Sequence, residues 1–284
     1  AWSIVIHMLN TRKLNQSGFA HILIVIMVIV IGLVSYAAFR TFQEKSSTYT
    51  SQNVQDKAMS SKVKIKSMPV DIGTYDPVSK RSGDLVFPEK KLPEGVQPVL
   101  FSEFGYKMPG NSANNFLSQA SPQPTFIVAP NTKIKAMIDG QVVSVSKLYS
   151  NDYSIHMKGK GSDLIFEHEH VIKPLVKEGD TVKAGTIIAT ASDYDARNLL
   201  GLGVFEMGLL KGGNPPIHLC IFDYLDESIK QDTFNKISAL KKSWEEYTGD
   251  TSLYDESSTA IPGCINRDPI SDNNNSQTGT KNQN

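Results

Sequence analysis

The sequence predicts a mostly β protein: an antiparallel β-sandwich or open barrel, preceded by a membrane-spanning helix and followed by an amphipathic one. Three observations carry that expectation. Phe19 to Phe39 is a run of 21 residues with no formal charge. Between Thr125 and Leu210, strand-length apolar runs alternate with glycine turns. From Asp226 to Gly249, apolar residues recur every three or four positions.

The uncharged run is long enough to cross a hydrocarbon core of about 30 Å at roughly 1.5 Å per residue. A buried soluble helix rarely stays apolar on every side for this length. A cleaved signal peptide is the closer rival, but the stretch exceeds the usual ~7–15 apolar residues and no small-x-small site follows it. Arg12 and Lys13 precede it, so residues 1–18 are expected in the cytoplasm, residues 19–39 in the cytoplasmic membrane as a single pass, and the remainder outside. "SGFAHILIVIM" also resembles the start of type IV pilin-like proteins, which implies trimming after Gly18. That family expects Glu at the position of Leu23.

Residues 40–68, rich in Ser, Thr, Gln and Lys, read as a flexible stalk. Residues 69–124, with scattered prolines and "MPGNSANN", read as loops and short strands wrapping a core. The β domain is expected over 125–225, in "TFIVAP", "KIKAMI", "QVVSVS", "YSIHMK", "DLIFEHEHV", "TIIATA" and "GVFEMGLL". "IDGQ" and "KGKGSD" are turns of hairpin type. Residues 226–249 form the helix, with Phe234, Ile237, Leu240, Trp244 and Tyr247 on its apolar stripe, docked on the β domain. The tail, 250–284, is too polar to fold from about residue 268.

Composition excludes one partner class. The 29 basic and 29 acidic side chains balance, which gives no reason to expect nucleic acid. Cys220 and Cys264 are the only cysteines, and an even pair outside the membrane favours a disulfide.

The glycine segment "LVKEGDTVKAGTIIATA", with "KIKAMIDGQVVSV" before it, resembles two related β families. One is the biotinyl/lipoyl carrier domain; the other is the lysostaphin/LytM-type zinc endopeptidase of bacterial cell walls. A carrier needs a lysine about ten residues beyond Gly185, where this chain has "ASDYDARN". The peptidase resemblance runs further. "VAPNTKIKAMIDG", "FEHEHV", "VKEGDTVKAG" and "GVFEMG" fall in the family's order, and His170 takes the place of its catalytic histidine.

That resemblance also assigns the zinc-ligand segment. Its H-x-x-x-D positions fall on Pro122 and Phe126, and its His-x-His positions on Leu202 and Val204. Zinc-activated water needs about three protein ligands plus an open position, so the resemblance implies a domain without family-type hydrolysis, and no cofactor. Its implied roles are binding wall peptidoglycan or regulating a partner wall hydrolase.

The competing expectation is a zinc endopeptidase with rearranged ligands. Strand alternation in "DLIFEHEHV" puts His168 and His170 on one face and Glu167 and Glu169 on the other. With His218 they make the alternative ligand set. A hairpin closed at "KGKGSD" puts His156 opposite about Leu164, roughly 13 Å from His168 at ~3.3 Å per residue, too far to share an ion. The expected ligand cleft is therefore His168, His170 and Glu206, with His170 as a catalytic remnant.

Overall fold

A computed structural model describes residues 63–92, 98–107 and 120–271. The expected cytoplasmic segment and the apolar run 19–39 lie outside them, as does most of the stalk. Among the described residues no helix is long and apolar enough to cross a membrane.

Three two-residue strands open the described chain as a small antiparallel meander: β1 (Tyr75–Asp76), β2 (Arg81–Ser82) and β3 (Leu85–Val86). β4 (Phe101–Ser102) then pairs with β5 (Thr125–Val128). The main sheet adds β6 (Lys133–Lys135), β7 (Gly140–Lys147), β8 (Tyr153–Lys158), β9 (Ile165–Ile172), β10 (Thr181–Val182), β11 (Ile187–Ala191), β12 (Gly203–Lys211), β13 (Ile217–His218) and β14 (Ile270–Ser271). Its backbone order is β10-β7-β8-β9-β12-β13-β14. β5 pairs along the first half of β12, and β11 joins β9 to β6. Every pairing between these strands is antiparallel, as the expected class requires.

The glycine segment serves as frame. Gly179 and Gly185 both adopt positive φ, 91° and 84°, where a side chain would be strained. Their N–H groups reach back to Val142 O (2.9 Å) and Ala136 O (2.8 Å), fastening the two turns to the sheet. Beneath lies one apolar core in which Phe101, Phe126, Phe166, Phe205 and Phe222 are all fully buried.

The helix α1 spans Glu227–Thr248. Its ends are those the sequence suggests: the Asp226 carboxylate accepts from Ser228 N–H, and Gly249 closes the helix at φ 71°. Its apolar stripe joins the common core and also packs on the segment before the β domain. Trp244 and Tyr247 pack on Phe87 (5.3 and 5.4 Å between ring centroids), and Trp244 Nε1–H donates to Pro98 O. The helix therefore holds the wrapping segment down. Lys241 and Glu103 complete the joint as a buried ion pair at 2.9 Å.

Two expected boundaries shift. The stalk cannot extend to residue 68, because Ile65 is fully buried and exchanges backbone hydrogen bonds with Tyr224 and Asp226. Short alternation in "KVKIK" was hidden there by its lysines. Disorder cannot begin at residue 268, because Ile270 and Ser271 add β14 to β13. Cys220 and Cys264 form the expected disulfide, closing a separation of 44 residues and tying this C-terminal segment to the sheet.

Candidate functional site

The site is built on β8, β9 and β12, and one irregularity decides its composition. Ile155 pairs with His168 and Tyr153 with Val171, so Ser154 alone faces both Glu169 and His170. This is a β-bulge, with His170 at φ +56°. The bulge ends the simple alternation. His170 turns onto the face of Glu167 and Glu169, whereas His168 stays behind on the other.

His170 is 5% exposed, and its Nδ1–H donates to Asp152 Oδ2 at 2.8 Å. Asp152 stands at the end of the β7–β8 turn, where hydroxyls of Ser150 and Ser192 also bond its carboxylate. The far ring nitrogen, Nε2, is 4.0 Å from Glu206 Oε2. Tyr194 stacks on the imidazole at 4.2 Å, tilted by 24°. Thr125 Oγ1–H donates to Glu206 Oε1 at 3.1 Å.

A second group adjoins the first. Glu167 accepts from His156 Nε2 (2.7 Å), Ser154 Oγ (2.8 Å) and Gln123 Nε2 (2.9 Å). The same Gln123 amide reaches Glu169 at 2.7 Å, and Glu169 is the register partner of Glu206.

These contacts set the charges. Burial disfavours the His170 cation, but the Asp152 hydrogen bond and the charges of Glu206 and Glu169 outweigh it and raise its pKa to about 9. Burial, reinforced by Glu167 and Glu206, raises Glu169 to about 7. Glu206 is likewise raised, chiefly by burial. Glu167 is held below its ordinary value, because its bond to His156 outweighs burial.

Of the three residues expected in the cleft, His168, His170 and Glu206, two come together. His170 and Glu206 converge. His168 does not: it is fully buried, its Nε2 accepts from Met137 N–H at 3.3 Å, and burial pushes its pKa down to about 4. The alternative ligand set of His168, His170 and His218 fails for the same reason, since His168 sits across the sheet. His218, on β13, is buried and lies close enough to Glu167 to stabilise that carboxylate's charge.

The expected placement of His156 is corrected too. It pairs with Glu167, and not with about Leu164, because the β8–β9 connection takes up all of residues 159–164. Asp152, His156, Glu167, Glu169, Gln123 and Tyr194 were not expected in the cleft. Only the carboxylates of "FEHEH" carried a signal, and the bulge concealed it.

The geometry defines an antiparallel β domain with a buried imidazole–carboxylate cluster on one face of β8, β9 and β12. Residues 124–205 match the model of peptidase family M23. Solved structures with similarity include the lysostaphin of Staphylococcus simulans, at 19% identity over 39% of this chain and 43% of that one (TM-score 0.33). LytU matches at 21% identity over 44% of this chain and 82% of that one (TM-score 0.33). The SpoIIQ–SpoIIIAH pore forming complex matches at 15% identity over 49% of this chain and 96% of the matched chain (TM-score 0.35). The chain covers less than half the length of the two lysostaphin structures that include more than the catalytic domain. A search of curated proteins gives no match.

The family's zinc can be tested against the residues present. Phe126 is fully buried against the ring of Phe101 at 4.8 Å, Val204 is 3% exposed, and Pro122 and Leu202 offer no side-chain donor. Among the described residues, no three His, Cys, Asp or Glu side chains converge as metal ligands. The residues at these positions do not fit zinc.

Proposed function

We propose that the chain is anchored in the cytoplasmic membrane through residues 19–39 and carries its M23 domain outside. There the domain binds wall peptidoglycan without cutting it, or regulates a partner wall hydrolase through that binding. One observation carries the non-catalytic part: apolar side chains, three of the four buried, stand at the positions aligned with the family's ligands, while Asp152 engages His170. A Lewis acid is what makes water nucleophilic at neutral pH in this chemistry, and among the described residues no three His, Cys, Asp or Glu side chains converge to hold one.

Zinc hydrolysis through rearranged ligands is the second reading. It would have to use donors other than the His168, His170 and His218 set, since His168 lies on the far face. Incubating the full chain with purified sacculi tests the proposal. The expected result is co-sedimentation with no fall in turbidity and no released fragments. Clearing of the sacculi, or failure to sediment with them, would sink it.

A further inference from the structure

A cavity of about 390 Å³ lies where the β1–β3 meander meets the main sheet, and none of its residues belongs to the histidine cluster. Two backbone bonds fix its walls: Ala129 N–H donates to Asp84 O at 2.8 Å, and Lys135 N–H to Pro69 O at 3.0 Å. Arg81 on β2 and Lys133 and Lys135 on β6 line it, together with Asp71, Asp84 and the Ala129–Thr132 turn.

The charges in this cavity do not pair off. Asp71 takes Lys135 at 2.6 Å, and the Asp84 carboxylate accepts from Asp71 N–H at 2.7 Å. Arg81 is left over. Its Nε is buried without a hydrogen-bond partner, and no carboxylate among the described residues forms an ion pair with it. Lys133 has only the Thr190 hydroxyl, at 3.4 Å. A half-buried guanidinium ordinarily finds an acceptor, because its donors lose water when the chain folds. Three cations against two carboxylates leave the walls one positive charge. A singly charged anion balances that excess, whereas a doubly charged one overshoots it. A planar carboxylate also presents two oxygens to the parallel N–H groups of a guanidinium. The volume takes the end of a peptide along with its carboxylate.

We propose that this cavity binds the C-terminal carboxylate of a peptide, held by Arg81 and Lys133. The carboxylate stands on the cavity alone; a wall peptide as its source rests on the function proposed above. Titrating the full chain in detergent with Nα-acetyl-D-Ala-D-Ala and with its C-terminal amide tests the ligand. Loss of a charge-assisted hydrogen bond should weaken the amide by about tenfold or more. Arg81→Lys keeps the charge without the fork and should weaken the acid by roughly two- to tenfold. Lys133→Gln, at an exposed side chain, should weaken it by roughly two- to fivefold. Dimethyl phosphate, a tetrahedral monoanion, should bind less tightly than the acid.

Equal binding of acid and amide, or no binding of either, overturns the carboxylate site. So does tighter binding of dimethyl phosphate, or binding of the acid that neither variant weakens. Sacculi separate the source. If the chain sediments with sacculi but binds neither peptide, the wall reading stands and the carboxylate site fails. If it binds the acid but no sacculi, the wall reading fails and the carboxylate belongs to a protein C-terminus.

Discussion

His170 carries the cost of the bulge. A non-glycine residue at φ +56° is disfavoured by about 1–2 kcal/mol, and it persists only because its surroundings over-determine it. Ser192 N–H bonds its carbonyl at 2.9 Å while Asp152 holds its ring. Its raised pKa gives the fold a pH dependence. The folded value of about 9 exceeds the ordinary 6.5, so this stabilisation is complete below pH 6.5 and lost as pH rises through about 9. Glu169, raised from 4.5 to about 7, adds a loss of the same sign at lower pH. Denaturant unfolding should therefore show lower stability at about pH 10 than at about pH 6, with the upper part of the decline missing in His170→Gln. An undiminished decline in the variant would contradict the assignment. The motif made His170 legible in the sequence. Its neighbours were not, because period-two alternation assumes a regular strand and no glycine at position 170 marks the bulge.

Elements impose their own close approaches. β12 passes β9 at Gly208, where a Cβ would meet Glu167 Oε2 at 2.8 Å and Gln123 Nε2 at 3.2 Å. A flexible carboxylate could move aside, but three hydrogen bonds hold this one. Gly208→Ala should then destabilise the chain by about 1–3 kcal/mol and release His156, lowering its pKa toward the ordinary value. Thermal unfolding and an NMR titration of His156 read the two effects; an unchanged titration would show that the approach does not matter. Strand and helix positions were largely legible here, since apolar runs, Asp226 and Gly249 are local signals. The docking of α1 was not. Its stripe says that one face is buried, but Phe87 and Pro98 lie more than a hundred residues away in sequence.

At the scale of the molecule, the positions that the sequence resemblance aligns with zinc ligands are built into the packing of the domain. Phe126 and Val204, at two of those positions, belong to the apolar core. Phe126 completes the packing there, in a run of rings with Phe101 and Phe205 at 4.8 and 6.3 Å. The frame was readable from the sequence because turn glycines and strand order are local. The rebuilt cleft was not, because its polar residues come from β5, β8, β9, β12 and the turns at 152 and 194, which only the tertiary structure brings together. Zinc stoichiometry of the full chain, purified without chelator and equilibrated with one equivalent of zinc, tests this account most directly. It predicts well under one zinc per chain after gel filtration, with no change on His170→Ala. One tightly held zinc per chain, lost on His170→Ala, would contradict it.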